Sequence, residues 1–220
     1  MSGSAPPIIR NQLLAALPPE VLAALMPKLR HVSLAVRDSL IAPGKVIEAV
    51  YFVESGWVSL VATLEDGTQS EVGLVGHEGM VGLPLIVGVD TGFEEAFVQA
   101  RGAALRMEAD AFRRTLEEFP ILQARLYRYS EAMRGQAIQT AACNGRHALE
   151  QRFARWLLMA HDRSDGDELA ITQEFLALMV SAYRPSVTVV AGCLATVSKL
   201  VAIERDSLFC LLTDRITYTT

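Results

Sequence analysis

The residues able to do chemistry are few and scattered. The four histidines, His31, His77, His147 and His161, form no HxH or HExxH pair. A metal enzyme needs His and carboxylate ligands converging on one ion, so the sequence predicts no metal site. His77-Glu78 sits inside "GHEG" and reads as a structural turn. The three cysteines, Cys143, Cys193 and Cys210, fall short of the four-thiolate cage of an iron–sulfur cluster. Haem needs as little as one axial histidine and stays open; the cofactor is otherwise unassigned. There is no GxSxG elbow, no Walker loop and no GxGxxG turn. The expectation is a protein that is not an enzyme.

One stretch carries a different chemistry. "TQEFLALMVSAYRPSVTVVAGCL", residues 172 to 194, reads as two short helices around a tight turn. Thr172 can cap the first helix, and Glu174 suits its positive end. Phe175, Leu176, Leu178 and Met179 supply an apolar side, and Ala177 leaves room for a crossing helix. The turn falls at Ser181. The second helix starts near Arg184-Pro185, where proline is tolerated in a first turn. Val187 and Val190 face inward, while Arg184, Ser186, Thr188 and Val189 lie wholly or partly outward. Such a first turn can enter a major groove. Arg184 can offer its fork to guanine O6 and N7, and the hydroxyls can take phosphate or base edges. An ordinary helical hairpin has the same pattern. The runs "LVAIER" and "LFCLL" around Asp206-Ser207 then predict a β-hairpin, which is the order of a winged DNA-binding domain.

Charge argues for a local site. The net charge is −5, so no basic field covers the whole protein. From residue 148 to 220, seven Lys and Arg face nine Asp and Glu, a balance of −2. Four of those acids, Asp162, Asp165, Asp167 and Glu168, crowd one loop, while Arg184, Lys199 and Arg205 lie on or near the second helix and the wing. Screening limits each charge to about 8 to 10 Å, so the distribution outweighs the sum. The expectation is DNA binding of modest affinity and strong salt dependence. Three cysteines without CxxC spacing fit a reducing cytoplasm. "MSGSAPPIIRNQ" lacks the pattern of a secretory leader, and no uncharged apolar run is long enough to cross a membrane.

These residues need elements to position them. Residues 11 to 30 carry leucines at helical spacing on either side of Pro18-Pro19, which end one helix and start the next. From 31 to 107, turn signals recur: "PG" at 43, "ESG" at 54, "EDG" at 65, "GHEG" at 76, "DTG" at 90 and "RG" at 101. Between them lie β-rich runs, "AVYFV", "WVSLVATL", "EVGLV", "EAFVQA" and "AALRM". Short strands between regular turns predict a sandwich or jelly roll. Asp110 is the expected N-cap of a short helix, and Pro120 opens a long one. On that helix Leu122, Leu126, Tyr129, Met133, Gln136, Thr140 and Cys143 are spaced 4, 3, 4, 3, 4, 3. A seam this narrow favours a two-chain coiled coil over packing on its own domain. A further helix is expected to reach about His161, anchored by Phe153, Trp156, Leu157 and Met159.

The blocks together resemble the Crp/Fnr superfamily of bacterial transcription regulators. "VYFVESGWVSLV", "EDGTQSEVGLVGHEGMVGL" and "EAFVQARGAALRM" are similar to its cyclic-nucleotide-binding-type β-roll. The heptad helix is similar to its dimerisation helix. "RHALEQRFARWLLMAHDR" and "LAITQEFLALMVSAYRPSVTVV" are similar to its winged helix-turn-helix. The implied fold is α+β: a jelly-roll-like β-roll sensor over 1–119, a dimerisation helix over 120–145 and a winged helix-turn-helix over 146–220. The resemblance implies a homodimer on a two-fold symmetric site in double-stranded DNA. RNA polymerase is a candidate further partner, and the effector is an unidentified small molecule or redox signal. It assigns DNA contacts to Arg184, Pro185 and Val189, with Ser186 and Thr188 nearby; Thr172, Lys199 and Arg205 are further candidates for DNA contact. Three features depart from the pattern. Ser181 replaces a turn glycine, at a cost of about 1 kcal/mol; Tyr183 replaces a small capping residue; and "ITYTT" is a short tail.

Relatives that bind cyclic AMP hold its phosphate with an arginine and a neighbouring hydroxyl just before an apolar strand, and its ribose with a glutamate in a "GE" turn. Matched by "AFVQA", the first two positions are Glu94 and Glu95; matched by "GMVGL", the glutamate position is Met80. Two carboxylates repel a phosphate. The expectation is a regulator not controlled by cyclic AMP, its pocket filled or built for an uncharged or cationic ligand. The alternative is a ligand-sensing β-roll whose helical tail makes only protein contacts.

Overall fold

The computed structural model describes residues 9–165 and Met179. The chain opens with α1 (Gln12–Ala15), α2 (Pro19–Leu25) and a short 3-10 turn (Met26–Lys28). Pro18 and Pro19 do separate the two helices. The helical pattern stops short of residue 30, because Arg30 begins a strand.

Six strands follow: β1 (Arg30–Leu34), β2 (Ser39–Ile41), β3 (Ala49–Thr63), β4 (Gln69–Val75), β5 (Met80–Val81) and β6 (Glu95–Glu108). They form one antiparallel sheet of order β1-β6-β3-β4, with β2 on β6 and β5 on β3. Two expected turns are not turns. The "ESG" at 54 lies inside the 15-residue β3, and the "RG" at 101 lies inside the 14-residue β6. The two glycines mark bulges where the long strands cross. Gly56 has φ +70, and a Cβ on Gly102 would stand 1.9 Å from the Ser55 carbonyl oxygen. Only a hydrogen fits there, so glycine bends the ladder without ending it.

Three helices complete the described chain: α3 (Ala109–Glu118), α4 (Pro120–Arg146) and α5 (Leu149–His161). Asp110 is not the cap of α3. Glu108 occupies that position at the end of β6, and Asp110 lies inside the first turn, where its charge favours the helix dipole. Pro120 opens α4 as expected, at a position whose missing N–H costs nothing. The main core joins α1, α2, the inner faces of the sheet, α3 and the first half of α4 around Phe52, Phe112, Leu122 and Leu126. Asn11 ties the N-terminal arm to it. Its Nδ2 donates to the Val53 and Gly79 carbonyls at 2.9 and 2.7 Å, and its Oδ1 caps α1 at Leu14 N.

A second, smaller core lies on the other side of the sheet. It brings Trp57, Val61, Leu74 and Phe97 together with Phe153, Trp156 and Ala160 of α5 and with Met179. This cluster holds α5 on the β-roll.

Candidate functional site

The seam of α4 packs within its own protomer. Leu122, Leu126, Tyr129, Met133, Gln136, Thr140 and Cys143 all turn toward the rest of their own chain. Leu122 and Leu126 are fully buried in the main core. Tyr129 lies over Gly79, where a Cβ would meet its hydroxyl at 2.0 Å, and donates that hydroxyl to the Met80 carbonyl at 3.4 Å. The Met133 methyl lies against Gly73. The Gln136 amide oxygen accepts from Leu74 N at 2.6 Å, and its nitrogen donates to Leu74 O at 3.4 Å. β4 ends the strand order, so its outer backbone groups need a partner. A side-chain amide supplies one where a next strand would otherwise pair. Thr140 accepts from Arg155 of α5 at 3.2 Å, and the buried Cys143 sulfur accepts from Gln139. A seam of period 3.5 serves a flat sheet as well as a second helix, and here the sheet takes it. The opposite face of α4 is open: Ile121, Tyr127 and Ile138 are exposed, with small residues Ala124, Gly135, Ala141, Ala142 and Gly145 between and beyond them.

The positions matched to a nucleotide site divide. Met80 does not lie in a turn. It is a strand residue of β5, paired with Phe52 and fully buried in the core. The turn comes two residues later, at Gly82 with φ +106, and opens a short 3-10 helix, Leu83–Val87. Glu94 and Glu95 are half-buried at the start of β6, and the Ser39 hydroxyl donates to Glu95 at 3.4 Å. Arg113 of α3 pairs with Asp90 at 2.5 Å and Asp110 at 2.7 Å. Arg184, Pro185, Ser186, Thr188, Val189, Thr172, Lys199 and Arg205 lie outside the described residues.

Sequence reasoning missed the polar junction between the β-roll and α5. Glu71 of β4 is buried. Its Oε1 accepts from the Trp156 indole N–H at 2.7 Å, and the Ser59 hydroxyl nearby donates to the Met179 sulfur at 3.6 Å. Its Oε2 is buried without a hydrogen-bond partner among the described residues. Burial pushes the Glu71 carboxyl up to about 8, against the opposite pull of its hydrogen bonding and of the charges of Arg163 and Arg155. Thr140, Cys143 and Asn144 of α4 and Arg152, Arg155 and Met159 of α5 line a cleft beside it. Further along, Arg163 bonds Glu78 at 2.6 Å, and Arg10 pairs with Asp165. Burial, with the Glu78 charge, also raises the Tyr129 phenol, which stays neutral. The signal in the sequence was slight. "QSEVGLV" reads as a strand with one polar face, and nothing local says that α5 covers Glu71.

Among the described residues no group of His, Cys, Asp and Glu is placed to hold a metal ion, and no helix is long and apolar enough to cross a membrane.

The comparisons agree with this architecture. Residues 31–119, the β-roll with α3, match the family model of the cyclic nucleotide-binding domain. No curated protein matches the chain. FixK2 from Bradyrhizobium japonicum superposes with a TM-score of 0.72 at 14% identity, over 85% of this chain and 98% of that one. The c-di-GMP-responsive global regulator CLP of Xanthomonas campestris gives 0.65 at 18% identity, over 81% and 92%. A CRP-family transcriptional regulator from Thermus thermophilus gives 0.63 at 19%, over 79% and 88%. At these identities the likeness establishes the fold: a cyclic-nucleotide-binding-type β-roll followed by a long helix, as in solved Crp/Fnr-type regulators.

Proposed function

We propose that the protein is a DNA-binding transcription regulator, not an enzyme. It acts as a homodimer on a two-fold symmetric site and is not controlled by cyclic AMP. The observation that carries this reading is the order of parts. A β-roll, a 27-residue α4 and a further helix α5 follow one another in a chain that aligns with 98% of a solved protein of this architecture. The segment after α5 then has the sequence of a helix-turn-helix with Arg184 in the first turn of its second helix. The dimer uses the outward face of α4, with Ile138 at its centre, since the inward face is occupied by the sheet. Small residues there allow two helices to approach closely. Glu94 and Glu95 at the mouth of β6 support a pocket that rejects a cyclic phosphate. A gel shift at low salt with promoter DNA from the protein's own operon tests the reading. A retarded complex that weakens steeply as salt rises is expected. No retardation at any salt would leave the tail as a protein-contact module.

A further inference from the structure

Among the described residues, the Glu71 junction is the one place where a buried carboxyl joins the β-roll to the helix leading toward the C-terminal segment. Glu71 stands on β4 and Trp156 on α5, and their 2.7 Å hydrogen bond crosses the smaller core. An indole N–H can donate to a neutral carboxyl or to a carboxylate, so the bond alone does not fix the charge. The surroundings do. On the sheet side the neighbours are Ser59 and the apolar Val61 and Leu74. On the α4 side they are Thr140, Asn144 and the Cys143 thiol; on the α5 side, Arg152, Arg155, Trp156 and Met159; and beyond them Met179. Arg152 lines the same cleft, and the other two cations are engaged elsewhere. Arg155 donates to Thr140, and Arg163, past the end of α5, is held by Glu78 and by the Met159 carbonyl. A carboxylate in this position would be buried with one hydrogen-bonded oxygen and one bare oxygen, which is a costly state. A neutral carboxyl is not.

We propose that Glu71 is a proton-operated latch: neutral, it keeps α5 docked on the β-roll, and ionised, it favours release of Trp156 and the helix. This goes beyond the regulatory reading and does not depend on DNA. The direction follows from linkage. In the docked form the carboxyl titrates at about 8; undocked in water it titrates at about 4.3. The docked form therefore binds the proton more tightly. Docking is strongest below the ordinary carboxylate range. It weakens tenfold per pH unit as pH rises toward about 8, and levels off above that. The whole change is on the order of a thousandfold in the docking equilibrium. Near neutrality most of the stabilisation has already been lost, so the latch stands close to its release point. The pairs Glu78–Arg163 and Arg10–Asp165 tether the chain just past α5, which limits how far the helix can move.

The test uses the full chain labelled with ¹⁵N-tryptophan, with the Trp156 indole resonance assigned by comparison with Trp156→Phe. In the wild type, that resonance should shift or broaden with a midpoint between about pH 7 and 9, where the docked carboxyl ionises. In Glu71→Gln, which keeps the acceptor but cannot ionise, it should stay constant from pH 6 to 9.5. The same titration in both proteins, or none in the wild type, would overturn the proposal. Should Glu71→Gln fail to fold, the glutamate side-chain carboxyl ¹³C signals of the wild type decide the matter. One carboxyl titrating above pH 7 supports the latch, and all titrating below pH 6 refutes it.

Discussion

The two faces of α4 make opposite predictions. Leu126 lies on the inward face and is 0% exposed; Ile138 lies on the outward face and is 54% exposed. Leu126→Ala removes three buried carbons from a packed core that also contains Phe112 and Leu122. Substitutions of this kind cost about 2 to 5 kcal/mol. For a chain of this size each kcal/mol lowers Tm by about 2 to 4 °C, so a loss of roughly 4 to 20 °C is expected. Its dimerisation should persist in the fraction that stays folded. Ile138→Asp touches little within the protomer and should change stability by less than about 1 kcal/mol. In a dimer built on that face it buries two unpaired carboxylates about the symmetry axis, and the dimer should split. Calorimetry read beside multi-angle light scattering at micromolar concentration measures both quantities. A dimer that survives Ile138→Asp, or an Leu126→Ala protein with unchanged Tm that becomes a monomer, would refute the assignment of faces.

Three further outcomes are expected. Gly79→Ala places a methyl 2.0 Å from the Tyr129 hydroxyl and 2.5 Å from its ring, so it should destabilise by about 1 to 3 kcal/mol. In a Tyr129→Leu background much of that cost should vanish, and additive losses in denaturant melts would show that the two do not touch. Arg184→Ala should lose about 1 to 3 kcal/mol on the preferred DNA site and far less on random DNA; equal losses on both would make Arg184 a phosphate contact only. Calorimetry with cyclic AMP and cyclic GMP should show no binding, and micromolar binding of either would overturn the reading of Glu94 and Glu95.

Much of the fold was legible because it is written in local patterns. Pro18-Pro19 and Pro120 have the same consequence wherever they stand, and both opened helices where the sequence placed them. α5 reaches His161 as its anchors implied. Gly56 and Gly102 misled for a physical reason. Glycine marks either a turn or a close crossing of backbones, and only the partner strand, distant in sequence, decides between them. The α4 seam misled in a similar way. Leu122, Leu126, Tyr129 and Met133 declare that one face is buried, but the period of a helix does not say what buries it. Met80 was matched by a short motif, and the motif alone does not say that the residue is a buried strand position two residues before the turn at Gly82. Glu71 was invisible because its burial depends on Trp156, 85 residues further along.

The central claim is sequence-specific recognition of DNA by a two-fold symmetric dimer. Selection of bound DNA from a random pool by the full-length protein tests it most directly. Enrichment of an inverted repeat is expected, with half-sites one helical turn apart, about 10 base pairs centre to centre. Enrichment of that repeat should be lost in Arg184→Ala. A pool that stays random after repeated rounds at low salt would contradict the account.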